Sequence, residues 1–137
     1  MRAAVIFFSG SSNDRLGDLA RALAKGMERQ GHTVDVIDGA KDSGARLTIH
    51  QYIAVGAAPR GTFGGKVPDA VKTFLAAAGA VSGKKCYAFI PRATFGAAKT
   101  LAALMKCMEG EGMLLKNSDI LRSPAEAEEI GKRLRIG

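Results

Sequence analysis

The distribution of apolar and polar residues along the chain predicts strands that alternate with amphipathic helices. Short segments that are apolar, or that alternate between apolar and polar residues, are typical of strands. They are Arg2–Phe8, His32–Asp38, Gln51–Ala58, Lys85–Ile90 and Met113–Leu121. The first, third and fourth are almost entirely apolar, so we expect them to be buried on both faces in the centre of a parallel sheet. The second and fifth are more polar, which predicts strands at the edges.

Apolar residues at helical spacing follow most of these strands. The first helix is predicted over about Asp14–Gln30, and Gly31 ends it. Pro68 suits the first turn of a second helix, and Gly110 and Gly112 end a third. The residues Ser123–Glu126 form a capping box with proline at the first helical position, which predicts the start of a fourth helix.

This alternation predicts the fold class. Strands joined by right-handed helical crossovers form a parallel sheet with helices on both faces. We therefore expect an α/β protein, a three-layer α-β-α sandwich whose five-stranded parallel sheet has the order 2-1-3-4-5. One domain would span residues 1–137. The ligand crevice of such a sheet lies at the carboxyl ends of strands one and three, where the strand order reverses.

The composition is that of an ordinary globular protein, with 47% hydrophobic and 24% charged residues. No apolar run approaches the length of a membrane span. The start of the chain, Met1–Val5, is too short and too strand-like for a signal peptide. Cys86 and Cys107 lie far apart and form no CxxC motif. We expect both to be buried core thiols in a reducing compartment, and therefore a cytoplasmic protein.

The loop Ser9–Asp14 carries the clearest candidate chemistry. It joins a buried strand to a helix, so it directs backbone N–H groups and the positive end of a helix dipole into one small space. Such a space suits a phosphate or another anion. Asn13 or Asp14 could instead simply cap the helix. Gly10 and Gly17 are too far apart for a dinucleotide-binding G-x-G-x-x-G motif, and no P-loop sequence occurs.

Three segments of the chain resemble the flavodoxin-like family, and the resemblance covers nearly the whole sequence. Phe8–Asp14 is similar to the family's phosphate loop. Ala54–Pro59 and Phe63–Pro68 are similar to the strand and loop that flank the flavin ring, ending in Gly-Lys-x-Pro. Lys84–Ile90 resembles the next strand, which leads to a glycine-containing loop and a long helix.

The resemblance implies a non-covalently bound FMN. Its phosphate would contact Ser9, Ser11, Ser12 and Asn13, and its ring would lie between the loops that carry Phe63 and Phe95. The implied cofactor-binding residues are Ser9, Gly10, Ser11, Ser12, Asn13, Asp14, Ala58, Pro59, Arg60, Gly61, Thr62, Phe63, Gly64, Pro91, Arg92, Thr94, Phe95 and Gly96.

The chain departs from the family pattern in its loop and in its charge. Ser12 stands where the family usually has glycine, and Asp14 where it often has a hydroxyl residue. Flavodoxins are acidic as a family, whereas this chain has a formal net charge of +7. Basic residues fall at the predicted crevice edge: Arg15, Arg60, Lys66, Arg92, Lys99 and Arg122. We therefore expect a redox partner whose docking face is acidic.

The leading functional hypothesis is electron transfer through FMN, either as a carrier or as a small NAD(P)H-linked flavin oxidoreductase. The sequence leaves open whether the chain is an enzyme, because it offers no general base, nucleophile or metal cluster. His32 and His50 fall at the opposite edge of the sheet and are expected to be structural or solvated.

The alternative is a flavin-free module of the same fold that binds another anion, such as a nucleotide or a phosphorylated metabolite, or an acidic partner through its basic crevice edge. Nucleic acid is an unlikely partner in that case, because no aromatic residues are interleaved with the basic ones.

Overall fold

A computed structural model describes residues 1–9, 15–42, 46–58, 69–79, 81–92 and 96–136 of the chain. The strands are β1 (Arg2–Phe8), β2 (Thr33–Asp38), β3 (Tyr52–Ala57), β4 (Lys85–Pro91) and β5 (Leu114–Leu121). The helices are α1 (Arg15–Glu28), α2 (Asp69–Ala77), α3 (Ala97–Gly110) and α4 (Pro124–Arg133). The predicted alternation of strands and helices is confirmed.

The strands form one parallel sheet in the order β2-β1-β3-β4-β5, as predicted. The central strands β1, β3 and β4 are buried along nearly their whole length, whereas β2 and β5 are partly exposed. Apolar side chains on both faces of a central strand need a helix layer on each side, and a polar edge strand does not. The sequence pattern therefore determines which strands lie in the middle.

Two apolar cores lie on opposite faces of the sheet. Alternate residues of β1 supply both of them: Ile6 and Phe8 enter one core, and Val5 and Phe7 enter the other. The first core also contains α2 and α3 side chains, and the second contains α1 and α4 side chains. This arrangement is the predicted α-β-α sandwich, because side chains of a strand alternate between its two faces.

The helices α1 and α4 touch through glycine. A Cβ atom at Gly26 would collide with the carbonyl oxygen of Glu128, and one at Gly131 would collide with the carbonyl oxygen of Leu23. Only hydrogen side chains let the two backbones approach this closely. The crossing of α1 over α4 therefore depends on Gly26 and Gly131, neither of which the periodicity of the sequence singles out.

The predicted capping box at the start of α4 is confirmed. The Ser123 Oγ atom accepts a hydrogen bond of 3.2 Å from the backbone N–H of Glu126, and Pro124 follows at the first helical position. The Glu126 carboxylate in turn accepts a bond of 3.1 Å from the backbone N–H of Arg122. The Ser123 bond satisfies an N–H group that the first helical turn leaves free, and the Glu126 bond holds the residue just before the N-cap.

Two sequence predictions of local placement are wrong. Pro91 is not a loop residue but the last, buried residue of β4, where it lies opposite Leu121. The strand tolerates it because the next N–H, that of Arg92, makes the hydrogen bond to the Leu121 carbonyl oxygen at 2.9 Å. Cys107 is only half-buried, since it lies at the border of the apolar face of α3, whereas Cys86 is fully buried as predicted.

Within the described part of the chain, no helix has both the length and the apolar character needed to cross a membrane.

Candidate functional site

The carboxyl ends of β1 and β3 form the point where the strand order reverses. The Ala58 N–H donates a 3.2 Å hydrogen bond to the Phe8 carbonyl oxygen, so the two strand ends stay joined up to the loops. On the other side of β1, the Gly39 N–H donates to the Phe7 carbonyl oxygen at 2.9 Å. Ser9 is the first residue beyond β1 and lies directly past this paired region. It therefore stands where ligands bind in open parallel sheets.

The Ser9 hydroxyl is a buried polar group whose capacity to form hydrogen bonds is unused among the described residues. Its Oγ atom is inaccessible to solvent and has no hydrogen-bond partner among the residues that the structure describes. A buried hydroxyl without a partner costs about 1–3 kcal/mol, and folded proteins rarely leave one. A ligand oxygen at this edge would satisfy it. This is the observation that fits a phosphate group.

Of the predicted site residues, the structure describes Ser9, Ala58, Pro91, Arg92 and Gly96. Ser9, Ala58 and Arg92 directly follow β1, β3 and β4. Pro91 is the last residue of β4, and Gly96 precedes α3. The other predicted site residues lie outside the described residues: Gly10, Ser11, Ser12, Asn13, Asp14, Pro59, Arg60, Gly61, Thr62, Phe63, Gly64, Thr94 and Phe95.

Gly96 shapes the entry to α3. Its φ of 72° is left-handed, a conformation that glycine adopts without strain. The Thr100 hydroxyl donates a 3.0 Å hydrogen bond to the Gly96 carbonyl oxygen, and the Thr100 backbone N–H donates to the same oxygen at 2.9 Å. Gly96 is therefore held to the first turn of α3.

Three arginines meet at this edge. The Arg15 guanidinium donates to the carbonyl oxygen of Arg92 at 3.2 Å and to that of Arg122 at 3.4 Å. Arg15 begins α1, Arg92 follows β4 and Arg122 follows β5, so one side chain joins three elements. Arg15 contacts only backbone oxygens of the other two arginines, and all three residues are exposed. We call Arg15, Arg92 and Arg122 the arginine cluster.

The guanidinium groups of the arginine cluster lack carboxylate partners among the described residues. None of its guanidinium groups forms an ion pair with a carboxylate in the described ranges of the chain. Glu126 contacts the backbone N–H of Arg122. Three of the six residues predicted at the basic crevice edge thus lie together in the arginine cluster, and a fourth, Lys99, is exposed in the first turn of α3. The other two, Arg60 and Lys66, lie outside the described residues. The sequence identified these residues as basic, but it gave no sign that Arg15 would hydrogen-bond to the backbone of Arg92 and Arg122.

Buried titratable groups nearby have structural roles. The Tyr87 hydroxyl donates a 2.9 Å hydrogen bond to Asp119 Oδ2, and its ring stacks on Phe89 with centroids 6.0 Å apart. Burial, followed by the negative charge of Asp119, raises the pKa of Tyr87 above its ordinary value. Tyr87 therefore remains a neutral donor. Among the described residues no group of three or more His, Cys, Asp or Glu side chains could hold a metal ion.

No protein-family model matches the chain, and no curated protein matches it in sequence. Solved structures do match it in three dimensions. A flavodoxin from the domain Archaea has a TM-score of 0.75 at 21% identity, and the match covers 97% of this chain and 95% of that one. The chain has a flavodoxin-like fold. Flavodoxin 1 of Bacillus cereus has a TM-score of 0.71 at 20% identity, with 94% of each chain covered.

A third neighbour is the two-electron reduced flavodoxin of Megasphaera elsdenii, with a TM-score of 0.63 at 17% identity and coverage of 93% of this chain and 96% of that one. The near-complete coverage in all three cases means that the chain contains the full set of elements of the flavodoxin-like fold. Its strand order β2-β1-β3-β4-β5 agrees with that conclusion. At this level of identity the likeness concerns the fold, and the site must be argued from the residues themselves.

Proposed function

We propose that the chain binds FMN non-covalently at the carboxyl edge of β1 and β3 and transfers electrons to a partner protein. The observation that carries this proposal is the buried Ser9 Oγ atom, which has no partner among the described residues. A phosphate oxygen at this position would accept its hydrogen bond. The flavodoxin-like fold supports the choice of ligand, because the neighbouring structures are flavodoxins.

The residues proposed to hold FMN follow the sequence resemblance. Ser9, Ser11, Ser12 and Asn13 would bind the phosphate, together with the first N–H groups of the helix that follows. Phe63 and Phe95 would flank the ring. FMN supplies the redox chemistry, and the protein supplies binding, orientation and electrostatics. Pro91 is buried in β4, so we assign it a supporting position behind the loop and not a direct contact.

The arginine cluster is proposed to serve the partner protein. Its exposed positive side chains lie at the same edge as the proposed flavin site, which suits a partner with an acidic docking face. The Arg15 hydrogen bonds tie Arg92 and Arg122 to the start of α1, so the three basic residues are held at one face. We propose one domain over residues 1–137. The free thiols of Cys86 and Cys107 agree with a reducing compartment such as the cytoplasm.

Flavin absorbance tests the proposal directly. The purified protein is titrated with FMN and with riboflavin, which lacks the phosphate. A Ser9→Ala variant should bind FMN about tenfold more weakly, because one hydrogen bond to a charged group is lost. Its affinity for riboflavin should stay unchanged. Ser82→Ala, an exposed serine before β4, serves as the matched control.

The stability of the flavin-free protein gives a second readout. Ser9→Ala removes an unpartnered buried hydroxyl, so the free energy of unfolding without FMN should stay the same or rise by about 1 kcal/mol. With FMN bound, the variant should be less stable than the unmodified protein. Equal weakening of FMN and riboflavin, or clear destabilisation of the flavin-free variant, would contradict the assignment of Ser9.

The arginine cluster favours a second candidate function. A flavin-free module that binds another phosphorylated ligand or an acidic partner would also use this edge, whose arginine cluster has no carboxylate partner among the described residues. In that case the flavin titration shows no binding, whereas phosphorylated metabolites still stabilise the protein through Ser9. A carrier and an NAD(P)H-linked oxidoreductase are separated by adding NADPH to the FMN-loaded protein. Only the oxidoreductase bleaches the flavin without another protein.

A further inference from the structure

A second cleft, of about 490 Å³, lies at the amino-terminal edge of the sheet, opposite the proposed flavin site. Its volume is within the range of small-molecule sites. It is bordered by the starts of β3 and β4, by β5 and by the end of α4. The lining residues are Tyr52, Lys85, Lys116, Asn117, Arg133, Leu134 and Arg135. We call it the basic cleft.

The sheet register explains why these side chains converge. Tyr52 and Lys85 are paired first residues of β3 and β4, so their side chains project from the same face. In β5 the register shifts: Cys86 lies opposite Leu115, but Tyr87 lies opposite Asn117. Lys116 is the extra residue. A bulge of this kind re-aims side chains, and it allows Lys116 and its neighbour Asn117 to line the same cleft.

All charged residues that line the basic cleft are positive. Four of its lining residues are cationic and none is acidic. Arg133 contacts Glu129 at 3.8 Å, whereas Lys85, Lys116 and Arg135 form no ion pair with any described carboxylate. Helix-dipole stabilisation accounts for a cation at the end of α4, but not for the lysines of two strands. All four cations are exposed, so their positive charges face the cleft opening and would together attract an anion.

Another cleft on the same protein shows the ordinary pattern. A surface cleft of about 440 Å³ is lined by side chains of α2 and α3 together with Glu111. It carries two lysines and two carboxylates: Lys72, Lys106, Asp69 and Glu111. Charges of both signs are what a solvated surface normally presents. The basic cleft differs from this pattern on the same molecule.

The floor of the basic cleft contains a second sign of a ligand. Tyr52 is only 1% exposed, and its hydroxyl has no hydrogen-bond partner among the described residues. Unlike Ser9 Oγ, its oxygen is still reached by solvent where Tyr52 lines the cleft. Tyr87, at the equivalent depth in the same core, has Asp119 as its partner. Burial raises the pKa of Tyr52, so its hydroxyl stays protonated and is a donor. Buried tyrosine hydroxyls usually find an acceptor, and the cleft is the space that can supply one.

We propose that the basic cleft binds a small polyvalent anion that carries two or more phosphate groups. The strand lysines and Arg135 would neutralise its charge, and the Tyr52 hydroxyl and the Asn117 amide would donate hydrogen bonds to its oxygens. This site lies at the opposite end of the strands from Ser9 and the arginine cluster. It is therefore independent of the proposed flavin site.

Calorimetric titration with inorganic tripolyphosphate tests this inference. Orthophosphate, which has a single phosphate group, is the comparison ligand. Tripolyphosphate should bind at least about tenfold more tightly than orthophosphate, because it can contact several cations at once. A Lys85→Gln, Lys116→Gln double variant should weaken binding by about tenfold or more. A Lys72→Gln, Lys106→Gln double variant changes the net charge equally, and it should weaken binding by less than about twofold.

A Tyr52→Phe variant distinguishes binding at a defined site, which uses the hydroxyl, from non-specific attraction of anions to the positive charges. It keeps the ring and all charges, and it should weaken tripolyphosphate binding by about threefold to tenfold. Equal losses in the two double variants, no effect of Tyr52→Phe, or tighter binding of a single-stranded RNA oligonucleotide than of tripolyphosphate would overturn the proposal. The titration is run with and without FMN, so that failure of the flavin site leaves this result interpretable.

Discussion

The His50 Nε2 atom lies 2.8 Å from Oδ2 of Asp35, which ties the segment before β3 to the edge strand β2. Arg2 of β1 donates to the same carboxylate oxygen at 3.1 Å. His50 is buried, and its Nδ1 atom has no partner in the described part of the chain. Three neighbouring strands thus share one polar contact at the amino-terminal edge. Of the two predicted roles for His50, structural or solvated, the structure shows the structural one.

The Asp35 contact predicts a pH-dependent contribution to stability. The hydrogen bond from His50, followed by the contact with Arg2, lowers the pKa of Asp35 below its ordinary value of 3.8. The folded state therefore favours the carboxylate more than the unfolded state does. The resulting stability is fully present above the unfolded pKa and is lost as the pH falls through the folded pKa.

Asp35→Asn should reduce the free energy of unfolding by about 1 kcal/mol near pH 5.5, since Asp35 is partly exposed and solvent screens the contact. The difference between the variant and the unmodified protein should shrink as the pH is lowered through the folded pKa of Asp35. Urea denaturation over a series of pH values from about 5.5 downward measures this difference. Asp42→Asn, whose side chain has no ion pair among the described residues, is the control. A difference that persists unchanged at the lower pH would show that Asp35 acts through shape and not through charge.

The two buried tyrosines of the α1 and α4 face should respond differently to loss of the hydroxyl. Tyr87→Phe removes the donor to Asp119 and should cost about 1–2 kcal/mol of unfolding free energy. Tyr52→Phe removes a hydroxyl that has no described partner, so it should change stability by less than about 0.5 kcal/mol. Both variants keep the ring and are compared by urea denaturation. Equal costs would mean that Tyr52 has an acceptor within the protein.

The close approach of α1 and α4 predicts opposite effects of alanine at two helical glycines. Gly26→Ala should destabilise the protein by about 2–4 kcal/mol, because the new methyl group would collide with the Glu128 carbonyl oxygen. Gly110→Ala in α3 meets nothing within 4 Å, and it should stabilise by up to about 1 kcal/mol through helix propensity. Thermal denaturation of both variants checks the pair. A harmless Gly26→Ala would mean that the two helices can move apart without loss.

If FMN binds as proposed, Arg92 should raise the midpoint potential of the flavin. Reduction adds negative charge, and a guanidinium in the loop after β4 favours that addition. A unit charge about 10 Å away contributes on the order of 1–2 kcal/mol before screening, so Arg92→Gln should lower the potential by tens of millivolts. Arg133→Gln, at the opposite edge, is the control.

Spectroelectrochemistry at low and high salt measures the effect of Arg92→Gln. The shift should shrink as ionic strength rises, because the Arg92 side chain is exposed. An unchanged potential together with weaker binding of an acidic partner would assign Arg92 to docking alone.

The sequence by itself determined the order, type and approximate limits of the strands and helices. It did so because side-chain periodicity and helix signals, such as the Ser123–Glu126 capping box, act over a few residues. The burial of whole strands then ordered the sheet, since polar strands can only lie at its edges. The location of the candidate site at the ends of β1 and β3 follows from that order alone.

Only the tertiary structure decided which side chains meet. Arg15 contacts carbonyl oxygens of residues far along the chain, and Gly26 meets Gly131 across two helices. The bulge at Lys116 brings that residue to the lining of the basic cleft. Burial leaves Ser9 Oγ and His50 Nδ1 without partners among the described residues. No local pattern encodes these relationships. They arise when the packed sheet brings distant segments within contact distance, where hydrogen bonding and steric fit act on atoms and not on residue types.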